Sequence, residues 1–67
     1  MKYSSLRLPW EKLEKGQGFF VPCLDTQAMR ELGLKQAFFH RILDAHAIVG
    51  IFNGMLGVMF YRKPPAV

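Results

Sequence analysis

The stretch that decides the fold runs from Ala45 to Tyr61 and reads AHAIVGIFNGMLGVMFY. Two apolar halves flank Asn53-Gly54, and Asn-Gly between apolar runs is the strongest short-range signal for a hairpin with a two-residue turn. This turn predicts an antiparallel register with the following pairs: Phe52 with Met55, Ile51 with Leu56, Gly50 with Gly57, Val49 with Val58, Ile48 with Met59, Ala47 with Phe60, and His46 with Tyr61.

Neither face of this hairpin is polar, because alternate residues of a strand point to opposite sides. One predicted face carries Ala47, Val49, Ile51, Leu56, Val58 and Phe60, and the other carries Ile48, Phe52, Met55, Met59 and Tyr61 around a notch made by Gly50 and Gly57. One helix covers only one face, so the other needs the N-terminal segment, a ligand or another subunit. We therefore expect a homodimer or a larger assembly, with the notch filled by Trp10 or Phe19 of the chain itself or by a partner.

The segment before the hairpin predicts one short strand and one helix. Phe19–Val21 is typical of a strand, and Pro22 closes it. Asp25 is a predicted N-cap, and apolar residues follow at helical spacing until the pattern fades around 39–43. Gly33 either lies within this helix or divides it in two. The prediction is an α+β fold: a small antiparallel sheet of a short strand and the Asn-Gly hairpin, with the helix on one face.

Length and composition place these elements in a single domain, residues 1–67, with a basic N-terminal segment (1–15) and a short tail (64–67). The hydrophobic content of 51% excludes a disordered tail, and the lone Cys23 excludes an intrachain disulfide. The apolar run of 45–61 is shorter than the ~20 residues of a membrane span and has a turn at its centre. The first residues lack the apolar core of a signal peptide, so we expect an intracellular, non-membrane protein.

The residues that carry chemistry in enzymes are sparse. His40 and Asp44 stand four apart and could pair on a helix, but no nucleophile is placed beside them. Two histidines and one cysteine are too few for a structural zinc site. Gly16-Gln17-Gly18 leads into a strand, which is the wrong context for a phosphate-binding loop. We expect no catalytic residues, no metal, no cofactor and no small-molecule substrate.

Charge and aromatic content point to nucleic acid. Nine Lys and Arg residues against five acids give a net charge of +4, and cations neutralise phosphates while aromatic rings stack on bases. The predicted phosphate contacts are Arg7, Lys12, Lys15, Lys35, Arg41, Arg62 and Lys63, and the predicted stacking residues are Trp10 and Tyr61.

A helix-turn-helix is an alternative. Gly33 falls at the turn position of such a motif, and apolar residues occupy its core positions. Met29 occupies the position where a small alanine is usual, and the second helix would offer only Lys35, Gln36, His40 and Arg41 to the groove.

Three phrases of the sequence carry a family resemblance: LPWEKL at 8–13, GQGFFVP at 16–22 and GMLGVMFYR at 54–62. The chain resembles the small basic DNA-binding proteins of single-stranded DNA bacteriophages of the microvirus (gokushovirus-like) type, in which Trp10 and Arg62 match the tryptophan and the closing arginine. The apolar strand Ala47–Ile51 departs from that pattern, which favours the oligomer.

The resemblance implies a phage protein that binds the single-stranded genome during replication or packaging, in the host cytoplasm or the virion interior. We expect a non-enzymatic, largely sequence-independent binder that prefers single-stranded DNA. The rivals are a phage protein-interaction module that binds a host factor or capsid protein, and a membrane-active lysis peptide.

Overall fold

The computed structural model describes residues 8–64; of the expectations above, Arg7 and the last three residues of the tail lie outside this range. The chain forms a short 3-10 helix (Pro9–Lys12), strand β1 (Gly18–Pro22), helix α1 (Thr26–Phe39), strand β2 (Ala45–Phe52) and strand β3 (Met55–Arg62). The three strands form one antiparallel sheet in the order β1-β3-β2. The α+β prediction is confirmed.

The hairpin adopts the predicted register in full, from Phe52 opposite Met55 to His46 opposite Tyr61. Asn53 and Gly54 have φ angles of 53° and 79°. Two successive positive φ angles define the type I′ turn, whose twist matches that of the flanking strands. Local turn chemistry therefore sets the pairing of every residue in β2 and β3.

Helix α1 begins at the predicted cap, because the Asp25 carboxylate accepts a hydrogen bond from the Ala28 N–H at 3.1 Å. It passes through Gly33 without a break and ends at Phe39. Arg41, at φ 60°, then turns the chain away from the helical path. The helix-turn-helix alternative is therefore wrong, and the pairing of His40 with Asp44 on one helix is wrong as well.

The core lies where α1 crosses the sheet face that carries Val58 and Phe60. Both side chains are fully buried, together with Trp10, Met29 and Ala37. Gly33 allows this contact, because a Cβ at that position would overlap the Phe60 ring. Glycine thus brings the helix backbone directly onto the aromatic ring.

The opposite face of the sheet is open. Side chains of β1, β3 and β2 alternate between the two faces, and no helix or strand of residues 8–64 packs on this second face. The residues that it carries are Gly18, Phe20, Pro22, His46, Ile48, Gly50, Phe52, Met55, Gly57, Met59 and Tyr61. We call it the open face.

Gly33→Ala tests the close contact between α1 and the sheet. Alanine favours a helix by about 1 kcal/mol over glycine, but overpacking a core costs about 1–3 kcal/mol. We expect Gly33→Ala to lower the free energy of unfolding in urea. Added to a Phe60→Leu protein, the same substitution should lower it by less, since leucine leaves room for the new methyl group. A Gly33→Ala protein as stable as the wild type would show that the ring moves freely.

Candidate nucleic-acid interface

The open face presents one stacked ring pair at the end of the sheet that lies away from the turn. His46 of β2 and Tyr61 of β3 face each other in the register, and their ring centroids lie 5.4 Å apart with planes inclined by only 21°. Both residues are half-buried. Gly18 lies opposite Tyr61 on β1, so the directly paired β1 residue adds no side chain beside the Tyr61 ring.

A second aromatic pair covers the glycine notch. Phe20 of β1 and Phe52 of β2 meet edge to face, with ring centroids 5.1 Å apart. Between them on β3 and β2 lie Gly57 and Gly50, and a Cβ at Gly57 would meet the Phe20 ring and the backbone of β1. The notch is therefore filled from within the chain, but by Phe20 and Phe52 rather than by the predicted Trp10 or Phe19.

Trp10 does not belong to this surface, and its prediction as a base-stacking residue is corrected. Only 1% of its surface is exposed. Its indole N–H donates to the Gly33 carbonyl at 3.0 Å, and its ring meets Phe19 and Phe60 edge to face at 5.1 and 5.8 Å. A base would reach this ring only if the core opened.

Most of the predicted cations gather at the end of the molecule opposite the Asn53-Gly54 turn. The segment before β1, the loop after α1 and the end of β3 meet there. The Gly16 N–H donates to the Arg62 carbonyl at 3.1 Å and joins the first segment to β3. The Lys63 N–H donates to the Asp44 carbonyl at 3.1 Å and joins the end of β3 to the loop. We call this region the basic end. Its charged residues are Lys12, Lys15, Arg41, Arg62 and Lys63, accompanied by Glu11, Glu14 and Asp44.

Arg62 is engaged inside the protein, so its prediction as a phosphate contact is corrected. Its Nε donates to Asp44 Oδ1 at 3.1 Å, and its Nη1 donates to the Leu13 carbonyl at 2.9 Å. These bonds tie the segment before β1 and the loop before β2 to the end of β3. We call these two bonds the Arg62 clamp.

Asp44 is the anionic centre of this clamp. Desolvation raises its pKa, but the hydrogen bond from Arg62, a backbone hydrogen bond and the charges of Arg62 and Lys15 together leave the pKa below its ordinary value. The Oδ2 atom has no hydrogen bond within residues 8–64, and the Lys15 ammonium lies 3.9 Å from it. Asp44 therefore holds a negative charge that is bonded to the Arg62 guanidinium and lies within ion-pair distance of the Lys15 ammonium.

Lys35 does not join the basic end. It is exposed on α1, and α1 packs on the face opposite Tyr61, so the sheet separates Lys35 from the open face. Lys12, Lys15, Arg41 and Lys63 remain exposed. Of the predicted set, Tyr61 thus lies at the same end of the sheet as Lys15 and Lys63: the Lys15 ammonium lies 3.9 Å from Asp44, and Lys63, two residues after Tyr61, bonds to the Asp44 backbone.

Sequence reasoning missed His46 and Phe20 as candidate contacts. The hairpin register already paired His46 with Tyr61, and that pairing was the available signal. Phe20 could not be assigned in the same way, because nothing local specifies which side of β1 faces the helix.

The other reactive groups between residues 8 and 64 form no second site. Cys23 is half-buried, and desolvation together with the Asp25 charge raises the pKa of its thiol, which disfavours the nucleophilic thiolate. Among residues 8–64, no three metal-ligating side chains come together, and α1 is neither long nor apolar enough to cross a membrane.

Comparisons of the chain with protein-family models, with curated proteins and with solved structures gave no match. The site therefore rests on its own geometry: a half-buried ring stack on an open sheet face, next to exposed lysines.

Asp44→Asn tests the clamp, because asparagine keeps the shape and removes the charge. A lowered folded-state pKa means that the carboxylate contributes stability above its unfolded-state pKa of about 4, and that this contribution disappears as the pH falls through the folded-state pKa. We expect the wild type to be more stable than Asp44→Asn at neutral pH and to lose this advantage between about pH 5 and about pH 2, in urea unfolding at each pH.

Glu31→Gln is the matched control, since it removes one negative charge from the exposed surface of α1. A difference between wild type and Asp44→Asn that stays constant over this pH range would contradict the role of the Asp44 charge.

Proposed function

We propose that the protein binds single-stranded nucleic acid, with a preference for DNA and little dependence on sequence, across the open face next to the basic end. The stacked His46–Tyr61 pair carries the proposal. Exposed aromatic rings on a sheet are a common platform for unpaired bases, because every base has a face that can stack.

The His46–Tyr61 pair is suited to a base by position as well as chemistry. Both rings lie on the uncovered side, and glycine rather than a bulky side chain lies beside Tyr61 on β1. A base can therefore approach the Tyr61 ring from the β1 side. Phe20, Phe52 and Met59 continue the same face toward the hairpin turn and offer apolar contacts to neighbouring bases.

The lysines supply the phosphate contacts. Lys63 follows Tyr61 by two residues and is exposed, and the Lys15 side chain is 57% exposed although it lies near Asp44. Neutralising phosphates releases bound counterions, which makes affinity fall steeply with salt. A strand that stacks on Tyr61 would place its backbone along these lysines.

Within a phage that has a single-stranded DNA genome, as the resemblance implies, such binding would serve genome replication or packaging in the host cytoplasm or the virion interior. The proposed role is binding without catalysis.

A protein partner, such as a host factor or a capsid protein, is the second candidate. The exposed apolar side chains near the hairpin turn favour it: Leu24 is 91% exposed, Ile51 71% and Leu56 40%. Leu56 and Leu24 are close, because the Leu56 carbonyl accepts the Cys23 N–H bond at 3.0 Å. Such a complex would depend weakly on salt and would not need Tyr61.

Tyr61→Leu tests the stacking contact, since leucine keeps an apolar side chain and removes the aromatic face. We expect binding of a fluorescent single-stranded oligonucleotide, measured by anisotropy at low salt, to weaken about tenfold, since one base–ring stack contributes about 1–3 kcal/mol. Phe38→Leu, at a 69% exposed ring on α1, is the matched control and should bind as the wild type does. Equal losses in both variants would place the DNA elsewhere.

Lys63→Gln tests the phosphate contact in a salt series with the same oligonucleotide. Each lost contact to a single strand should lower the slope of log affinity against log salt by about 0.7. Lys35→Gln removes the same charge from the far side of the sheet and should leave the slope unchanged. If the wild type binds neither single strands nor duplex at low salt, the nucleic-acid function is wrong and a protein partner becomes the leading explanation.

A further inference from the structure

Strand β2 forms one edge of the sheet, and its outer side pairs with no strand among residues 8–64. It is eight residues long, which corresponds to about 27 Å of extended chain. Such an edge presents a row of backbone N–H and C=O groups that can pair with another strand.

The hydrogen-bond phase of the hairpin identifies these outward groups. Paired residues in antiparallel strands alternate between hydrogen-bonded and non-hydrogen-bonded positions. The two-residue turn makes Phe52–Met55 a bonded pair, and the Lys63 N–H bond to the Asp44 carbonyl fixes the same phase at the other end. The even-numbered residues of β2 therefore bond to β3. The outward N–H and C=O groups belong to Ala45, Ala47, Val49 and Ile51.

The two edges of the sheet differ in how they are protected. Natural edge strands are kept from pairing by short length, proline, lysine or a bulge. β1 has five residues and ends in Pro22. β2 has none of these features, and its Ile48, Val49 and Ile51 are 49%, 46% and 71% exposed. The unprotected edge is thus apolar as well as open.

The distribution of charge favours a second copy of this chain as the partner at the β2 edge. The chain carries a net charge of +4, yet residues 45–61 contain no Lys, Arg, Asp or Glu. Two copies would repel one another at the basic end and would meet without charge repulsion along β2. An isologous contact between identical strands is also self-complementary, because each outward donor finds the acceptor of its equivalent.

We propose that β2 pairs antiparallel with β2 of a second copy about a two-fold axis at Ile48. This register places Ala47 opposite Val49 of the partner subunit and Ala45 opposite Ile51 of the partner subunit, so all outward groups of both strands are paired. On the open face His46 comes to lie opposite Gly50 of the partner subunit, where no side chain obstructs the ring.

The resulting sheet has six strands. A two-fold axis perpendicular to a continuous antiparallel sheet places both copies of α1 on one side and both open faces on the other. The dimer thus contains one continuous open face with two His46–Tyr61 pairs and two basic ends.

Val49→Lys tests the interface by sedimentation velocity of the full chain over a concentration series. The wild type should sediment as a dimer of twice the 7.7 kDa chain mass, and Val49→Lys should sediment as a monomer, since it places like charges on neighbouring strands at the edge. Leu56→Lys is the matched control: it adds the same charge on the same sheet face at a 40% exposed position, but on central strand β3, and should remain dimeric.

Amide hydrogen exchange of the wild type keeps the proposal testable if a lysine variant fails to fold. In the proposed dimer the Val49 and Ile51 amides are protected as strongly as those of Ile48 and Gly50, which bond to β3. A monomer at all concentrations would overturn the proposal, and so would a dimer in which the Val49 and Ile51 amides exchange rapidly, since that dimer would use another surface. Neither readout depends on nucleic-acid binding, so each proposal can fail alone.

Discussion

The contact between the Phe60 ring and the backbone of Gly33 is the constraint on which the rest of the structure depends. It joins the central strand to the middle of the only α-helix among residues 8–64, and it leaves no room for a Cβ at Gly33. Trp10 then closes the core from the side, with its indole bonded to the Gly33 carbonyl and its ring against Phe60. One glycine thus positions the helix, the strand and the N-terminal segment together.

Helix α1 packs on the face of the hairpin that carries Phe60, and within residues 8–64 no helix or strand packs on the other face. A domain of this length can bury only about 60% of the surface of its unfolded chain, and a single helix covers a single sheet face. The two aromatic pairs reduce the apolar surface that is exposed on the open face: Phe20 and Phe52 shield the glycine backbone, and His46 stacks on Tyr61. A hairpin that is apolar on both faces therefore leaves an apolar surface suited to binding a partner.

Local patterns in the sequence sufficed for much of the fold. Asn53-Gly54 specified the turn type and through it every pair in the hairpin, and Asp25 marked the start of the helix. The burial of Trp10 could not be predicted in this way, because it depends on Gly33, 23 residues away in the sequence. A tryptophan among lysines is typical of a stacking residue and equally of a core residue, and only tertiary packing decides between them.

The same reasoning explains why the candidate site was predicted in part. Tyr61 and the exposed lysines were found by composition, whereas the role of Arg62 depends on Asp44 and on the Leu13 carbonyl, 18 and 49 residues away. The Arg62 guanidinium is occupied by two internal acceptors, and sequence does not show that. The hairpin register, in contrast, did contain the His46–Tyr61 pair, because cross-strand neighbours follow from the turn alone.

Pairing at the β2 edge would enlarge the open face. A single copy offers one stacked His46–Tyr61 pair at one end of a three-stranded sheet, so an extended strand of nucleic acid would gain few stacking contacts from it. Pairing of two β2 strands would place two such pairs on one side of a six-stranded sheet, with a basic end at either extremity. Avidity would then arise from symmetry rather than from additional side chains. The exposed apolar edge of β2 would thus serve to lengthen the surface on which a nucleic acid can lie. The uncharged centre of the dimer would join its two basic ends.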